Sequence, residues 1–173
     1  VYIAVKFNSK PKMTDIINIK GRKGFDRNKY IDYQLEKGRI MDVIEYLLDY
    51  FNGQEGKTMI LSSKISSSFY IKDYLEKYDP SKKYMAWNSQ VSDEEKAEAF
   101  NKDVISGTPL SLGTGFDIPG LRFMIMTEPY SSKLTAKQVS GRLREYSPDM
   151  FTFYVEIVDR VPLPRCGEGG QGV

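Results

Sequence analysis

Short continuous apolar runs alternate with segments of helical periodicity along most of this chain. The runs cover residues 1–7, 58–62, 84–87, 104–105, 123–126 and 151–158. Strands that are buried on both faces read as continuous apolar runs, and parallel strands need a helix between them. The order therefore predicts an α/β fold, a three-layer sandwich in which helices cover both faces of one mostly parallel sheet.

Helical spacing is clearest in three of the segments between the runs. Residues 30–50 repeat apolar side chains every three or four positions, with a break predicted near Gly38, and residues 66–78 do the same. Ser92 and Glu95 have the spacing of a capping box that opens a third helix. These helices supply the connections that a parallel sheet needs.

Composition excludes several classes of function. The 173 residues include no histidine and one cysteine, which excludes Ser-His-Asp chemistry, a disulfide framework and most zinc sites. Lys and Arg number 25 against 23 Asp and Glu, so any basic surface must be local. The sequence has no signal-peptide pattern and no run of about 18 apolar residues. We therefore expect a soluble cytoplasmic protein without a membrane partner.

The chain divides into three regions by composition. Residues 1–29 are predicted to be a strand followed by a basic linker, residues 30–160 the main domain, and residues 161–173 a flexible tail of low complexity. The strand over residues 1–7 is open to two interpretations, the last strand of a preceding domain or the entry to this one. The Val1 start and the Gly-rich end suggest a fragment of a longer protein.

One apparent phosphate-binding motif is rejected. Gly56-Lys57-Thr58 matches the end of GxxxxGK[ST], but the first glycine of that pattern is replaced by Phe51. A phosphate loop follows a strand and opens a helix, whereas here the helix comes first and the strand follows. We interpret Lys57 as a polar lead-in to a buried strand.

A glycine-rich turn precedes the apolar run over residues 123–126. Gly113 and Gly115 flank Thr114, and glycines let the backbone approach a ligand closely. Asp117 offers a carboxylate that can accept from a ribose hydroxyl. A tight connection in which Asp117 only forms the turn explains the same residues equally well.

The segment around Gln138 adds two guanidiniums to this turn. Gly141 lies inside a helical pattern, where glycine costs about 1 kcal/mol relative to alanine, so something is expected to pack closely there. Arg142 and Arg144 follow. A loop of backbone amides with paired guanidiniums suits a polyphosphate site. The alternative is a solvated helix face on which the arginines pair with nearby carboxylates such as Glu145.

Four segments in order, KTMILSSK, WNSQVSDEEKAEAFN, DVISGTPLSLGTGFDIPGL and QVSGRLRE, resemble motifs IV to VI of superfamily 2 helicases and translocases. The resemblance covers residues 57–159 and is closer to the phage and DNA-repair branches than to the DEAD-box RNA branch. It implies a RecA-like fold and the C-terminal motor domain of an ATP-dependent helicase. The implied partners are nucleic acid, with DNA favoured over RNA, and the first RecA-like domain of the same protein.

The resemblance also implies roles for particular residues. Gly115 and Asp117 would contact the nucleotide, Gln138 would lie at the inter-domain cleft, and Arg142 would reach the terminal phosphate. The residues expected near the nucleic-acid backbone are Ser62, Ser63, Lys64 and Thr108.

The arginine motif departs from the family pattern QxxGRxxR. Glu145 stands where the second arginine is expected, and Arg144 comes one residue early. Adjacent helical residues point about 100° apart. Two accounts are open: Arg144 takes the second-arginine role through a one-residue shift, which we favour, or Glu145 pairs with an arginine and Arg142 alone is catalytic.

The sequence contains neither a complete GxxxxGK[ST] motif nor a DExx metal-binding box in strand context. The chain therefore offers no metal site, and its use of ATP and Mg²⁺ is expected to require the first domain, so the fragment alone should be inactive. The alternatives are a non-catalytic nucleic-acid- or protein-binding module with a helicase-like fold and an unrelated nucleotide-binding α/β protein. If the GxxxxGK[ST] and DExx motifs were found upstream of Val1, they would identify the chain as part of a motor.

Overall fold

The computed structural model describes residues 1–18, 24–114, 118–128 and 149–160. In chain order, the strands are β1 (Tyr2–Phe7), β2 (Ile17–Asn18), β3 (Gly24–Phe25), β4 (Lys57–Leu61), β5 (Tyr84–Trp87), β6 (Val104–Gly107), β7 (Leu121–Met126) and β8 (Phe153–Asp159). The helices are α1 (Met13–Ile16), α2 (Arg27–Glu36), α3 (Ile40–Phe51), α4 (Ile65–Tyr78) and α5 (Asp93–Lys96), and two 3-10 segments cover Ala97–Asn101 and Pro109–Thr114.

Six strands form one sheet in the order β1-β8-β7-β4-β6-β5, and all of its pairings are parallel. Strands β2 and β3 form a separate antiparallel pair. Strand β4 lies inside the sheet, between β6 and β7. The predicted α/β fold with a mostly parallel sheet is confirmed.

Both faces of the sheet are buried at strands β4 to β7, which explains why these strands read as continuous apolar runs. Successive residues of β4 point to opposite faces. Ile60 packs with the apolar side chains of α2, α3 and α4, whereas Met59 and Leu61 pack on the other face with Trp87 and Ala99. The core therefore consists of two layers separated by the sheet.

The helices begin and end where side chains and backbone conformation require. Helix α2 begins earlier than predicted because the Asp26 carboxylate accepts the backbone N–H groups of Asn28 and Lys29, at 3.0 and 3.1 Å. The predicted break near Gly38 separates α2 from α3, and a Cβ there would lie only 2.8 Å from the Gln34 Cα. Among the described residues, no helix combines the length and apolarity needed to cross a membrane.

The N-terminal segment contains more secondary structure than a strand and a linker. The whole of strand β1 pairs with β8, from Tyr2 opposite Tyr154 to Phe7 opposite Asp159. Helix α1 follows and buries Ile16, and the short pair of β2 and β3 leads into α2. Of the two interpretations of residues 1–7, this pairing supports membership of the present domain.

The rejected phosphate motif lies at the amino ends of the strands. Lys57 begins β4, and its Nζ donates to the carbonyls of Phe100 and Lys102 at 2.6 and 2.7 Å. Gly56 has a φ of 119°, and a Cβ there would lie 2.5 Å from the Arg122 Cβ. Burial lowers the pKa of Lys57. These contacts give the motif a structural role, in agreement with the sequence interpretation.

Candidate functional site

The carboxyl ends of β4, β6 and β7 bring three loops together. Ser62 follows β4 and donates its backbone N–H to the Gly107 carbonyl at 3.0 Å. Thr127 follows β7 and donates to the Leu61 carbonyl through its N–H, at 3.1 Å, and through Oγ1, at 2.8 Å. Thr108 follows β6. We call this region the carboxyl edge, and it comprises residues 62–64, 108–111 and 127–128.

Glu128 ties the loop after β4 to the end of β7. Its carboxylate is 3% exposed, accepts the Ser63 backbone N–H at 2.7 Å and faces the Arg27 Nε at 3.4 Å. The Arg27 guanidinium also donates to the Ser63 Oγ, at 3.1 Å. A buried carboxylate is stable only when it is paired and hydrogen-bonded. This network therefore fixes Ser63 in place at the surface.

Lys64 forms an ion pair with Asp32 of α2, with 2.6 Å between its Nζ and the Asp32 Oδ1. The Lys64 side chain is 24% exposed, so it remains partly accessible from solvent. The two cations next to Ser63, Arg27 and Lys64, thus each face a carboxylate. This part of the carboxyl edge consequently carries little net positive charge.

Thr108 is held by a buried hydroxyl cluster. Its Oγ1 donates to the Ser111 Oγ at 3.2 Å, and that oxygen lies 2.7 Å from the Thr108 carbonyl and 3.1 Å from the Trp87 carbonyl. Thr108 is 5% exposed and Ser62 is 1% exposed. Of the four residues predicted at the nucleic-acid backbone, Ser63 and Lys64 are therefore accessible, whereas Ser62 and Thr108 are buried.

Helix α4 opens on the carboxyl edge with unused backbone donors. The first i to i−4 hydrogen bond runs from the Ser68 N–H to the Lys64 carbonyl, at 3.2 Å. The N–H groups of Ile65, Ser66 and Ser67 therefore have no carbonyl partner within the helix, and Lys64 gives no side-chain cap. Such an end, together with the dipole of a 14-residue helix, favours an anion.

Asp159 ends β8 at the same side of the sheet and collects a second set of hydrogen bonds. Its carboxylate accepts the Tyr30 hydroxyl at 2.8 Å, the Ser9 backbone N–H at 3.2 Å and the Ser9 hydroxyl. Burial, the hydrogen bond to Asp159 and the negative charges of Asp159 and Glu128 raise the pKa of Tyr30. The cluster joins α2 to β1 and β8 beside the carboxyl edge.

The residues predicted at the nucleotide lie outside the described residues. They are Gly115, Asp117, Gln138, Arg142 and Arg144. Within the described ranges, no group of three or more His, Cys, Asp or Glu side chains is placed to hold a metal ion. What the described residues offer a nucleotide or a nucleic acid is a set of hydroxyl, ammonium and N–H donors at the carboxyl edge.

Three residues of this site were not predicted from the sequence: Arg27, Asp32 and Glu128. Glu128 follows the apolar run over residues 123–126 after one further residue, and a carboxylate at the carboxyl end of a buried parallel strand is a usable signal. Arg27 and Asp32 carry no comparable local signal. They reach the site because α2 packs beside α4.

No protein-family model and no curated protein sequence matches the chain. Solved structures do resemble it. The C-terminal part of the Fun30 ATPase domain aligns with a TM-score of 0.62 and 12% identity, over 75% of this chain and 44% of that chain. The DUF1998 helicase MrfA bound to DNA and AMPPNP aligns with a TM-score of 0.57 and 16% identity, over 71% of this chain and 18% of that chain. Domain 2 of the DEAD-box helicase Mss116p bound to an RNA duplex aligns with a TM-score of 0.61 and 8% identity, over 92% of this chain and 54% of that chain.

At these identities the comparisons show the fold. The chain has the RecA-like fold found in these helicase and ATPase domains, as the motif resemblance implied. It spans between 18% and 54% of the length of the three chains.

Proposed function

We propose that the chain is the second, C-terminal RecA-like domain of an ATP-dependent DNA helicase or translocase of superfamily 2, of the phage and repair type. The observation that carries this proposal is the meeting of two motif loops at one edge. The loop with Ser63 and Lys64 follows β4, and the loop that begins at Thr108 follows the neighbouring strand β6. The fold shared with helicase domains supports it.

The nucleic-acid backbone would bind where α4 meets the carboxyl edge. A phosphate there would find the first N–H groups of α4, the Ser63 hydroxyl and the Lys64 ammonium. The buried Ser62 and Thr108 would shape the loops from beneath. Among the described residues few cations face this surface, so binding should be weak and blind to sequence.

The nucleotide would bind beyond the same edge. Strands β6 and β7 both end there, and they lead into the segments that carry the remaining motif residues, which supports a shared site. Gly115 and Asp117 would contact the nucleotide, and Gln138 would line the cleft. Arg142 and Arg144 would stabilise charge that develops on the terminal phosphate. ATP with Mg²⁺, held between this domain and the first RecA-like domain, supplies the hydrolysis that drives movement.

The proposal can be tested on the 173-residue chain by fluorescence anisotropy with single-stranded DNA oligonucleotides of equal length and three unrelated sequences. We expect similar affinities for all three, a fall in affinity with added salt, and no ATP hydrolysis. Strong preference for one sequence, or robust metal-dependent ATPase activity of the chain alone, would contradict the assignment. GxxxxGK[ST] and DExx motifs upstream of Val1 would distinguish a motor from a binding module.

A further inference from the structure

The outer surface of α3 and α4 carries five tyrosines at helical spacing. Tyr46 and Tyr50 are one turn apart on α3, and Tyr70, Tyr74 and Tyr78 follow one another at the same spacing on α4. Four of these residues are exposed, from 67% for Tyr46 and 64% for Tyr50 to 46% for Tyr78 and 38% for Tyr70. Tyr70 and Tyr74 stack with 6.5 Å between ring centroids. We call these five residues the tyrosine face.

Carboxylates of α3 lie between the tyrosines. The Tyr74 hydroxyl donates to the Glu45 carboxylate, and the Tyr78 hydroxyl donates to Asp49 at 3.3 Å. The hydrogen bond to Glu45, followed by burial and the charges of Glu45 and Asp42, raises the pKa of Tyr74 to about 12. Glu45 and Asp49 of α3 therefore lie at the seam between the two helices. A carboxylate that accepts one tyrosine hydroxyl keeps further lone pairs for another donor.

Most of the tyrosine face lies away from the carboxyl edge; the exception is Tyr70, near the start of α4, which lines one pocket with Lys64 and Ser66. Helices α3 and α4 end just before β4 and β5 begin, so their carboxyl ends, which carry Tyr50 and Tyr78, lie near the amino ends of the strands. The negative ends of two helix dipoles thus add to the carboxylates. Tyr46 makes no hydrogen bond or ring contact with another described residue. The ring of Tyr50 meets that of Phe51 edge to face, with 5.5 Å between centroids.

We propose that the tyrosine face is a docking surface for an arginine-bearing, basic segment of a partner protein. A guanidinium can stack on an exposed tyrosine ring and donate two hydrogen bonds to a carboxylate at the same time. Arg39 already shows half of this chemistry, because its Nε lies 2.7 Å from the Asp42 carboxylate. Tyrosine and arginine are the residues that most often carry binding energy in protein interfaces.

Charge determines the kind of partner. The carboxylates of Glu45 and Asp49 would repel a phosphate backbone, so nucleic acid is not the expected ligand of this face. A basic protein segment is complementary to it. Docked on Tyr46, Tyr50 and Tyr78, it would leave the carboxyl edge open.

The test uses a fluorescein-labelled peptide with four arginines spaced by alanines, its lysine counterpart and its glutamate counterpart. We expect the chain to bind the arginine peptide best and the glutamate peptide not at all. Tyr46→Ser with Tyr50→Ser should weaken arginine-peptide binding at least about fivefold, as loss of two exposed cation–π contacts predicts. Glu45→Gln with Asp49→Asn should weaken it to a similar degree.

The matched control is Glu94→Gln with Glu98→Gln. It also removes two negative charges, but from α5 and the 3-10 segment that follows, which cover the other face of the sheet. This variant should bind the arginine peptide within about twofold of wild type, as expected for charges distant from the ligand. Circular dichroism spectra and thermal melts should show that all variants fold.

Four outcomes would overturn the proposal. The first is that the arginine peptide does not bind, and the second is that the control variant loses as much affinity as the tyrosine-face variants. The third is a self-association, seen by sedimentation equilibrium, that Tyr46→Ser with Tyr50→Ser abolishes; it would assign the face to a second copy of the chain. The fourth is a loss of affinity of the same variant for a DNA oligonucleotide, which would make the face a nucleic-acid surface.

Discussion

The Ser63 backbone N–H lies 2.7 Å from the Glu128 Oε1 and joins two loops that are 65 residues apart in sequence. The carboxylate is almost fully buried, and it approaches Ser63 from the protein interior. The Ser63 hydroxyl and the start of α4 are thereby presented at the surface. Glu128 is thus a positioning residue for the proposed nucleic-acid loop.

Glu128→Ala should lower the free energy of unfolding by about 1–3 kcal/mol, because the Ser63 N–H and the Arg27 guanidinium lose a buried acceptor. Urea denaturation measures this change. Glu98→Ala, at an exposed carboxylate, should stay within about 0.5 kcal/mol of wild type. Equal stability of Glu128→Ala and wild type would show that the network does not hold the loop.

The ion pair between Lys64 and Asp32 makes a prediction about affinity. Asp32→Asn should raise the affinity for duplex DNA by up to about fivefold at low salt, since an exposed ion pair of up to about 1 kcal/mol no longer competes with phosphate. Lys64→Ala should lower affinity equally for all sequences and reduce the salt slope by about one unit. Anisotropy titrations at several salt concentrations measure both effects.

The control for Asp32→Asn is Asp73→Asn, which removes a carboxylate paired with Lys72 at 3.5 Å on α4. It should leave DNA affinity nearly unchanged. In the Lys64→Ala background, Asp32→Asn should lose most of its effect, because the cation that it releases is gone. Unchanged binding in both Lys64→Ala and Asp32→Asn would remove this ion pair from the binding surface.

Tyr30 predicts a loss of stability at alkaline pH. Its pKa is raised in the folded protein, so it retains its proton where the tyrosines of the unfolded chain ionise, near pH 10. The stabilisation is complete below that pH and decreases as the pH rises above it. Urea denaturation from pH 8.5 to 11 should show a falling free energy of unfolding.

In Tyr30→Phe this fall should be shallower, since Tyr84 and Tyr154, whose pKa burial raises to about 12, still contribute. Tyr46→Phe is the control at an exposed tyrosine. If Tyr30→Phe and wild type lost stability with the same slope, Tyr30 would not be responsible for any part of the pH dependence.

Local patterns predicted the elements of this fold well. The apolar runs that became β4, β5 and β7 are buried on both faces, and the Ser92 and Glu95 capping box forms as predicted. After Lys96 the chain continues as a 3-10 segment rather than as the predicted helix. Helix α1 and strands β2 and β3 were missed because they are too short for periodicity to detect.

Contacts between distant segments could not be predicted from the sequence. Arg27 and Glu128 are separated by 101 residues, and only the packing of α2 beside the carboxyl edge brings them together. The burial of Ser62 and Thr108 likewise depends on hydrogen bonds between neighbouring strands and loops. The motif residues at positions 115, 117, 138, 142 and 144 lie outside the described residues, so their roles remain predictions.

The displaced arginine can be tested in the intact protein under saturating DNA. If Arg144 takes the second-arginine role, Arg144→Ala should lower kcat at least about tenfold, a loss of about 1.4 kcal/mol of transition-state stabilisation. Glu145→Ala should be much milder. Near-normal kcat in Arg144→Ala beside a strong defect in Glu145→Ala would support the other account, in which Glu145 pairs with an arginine.

ATP turnover by Arg142→Ala and Arg142→Lys in the intact protein tests the central claim most directly. A guanidinium that stabilises transition-state charge is worth about 10³–10⁵ in rate, and a lysine lacks its forked donors. We predict that both variants fold, bind ATP with modestly reduced affinity and lose nearly all turnover. Wild-type turnover by a folded Arg142→Ala protein would contradict the assignment of this chain as the arginine-supplying half of a motor.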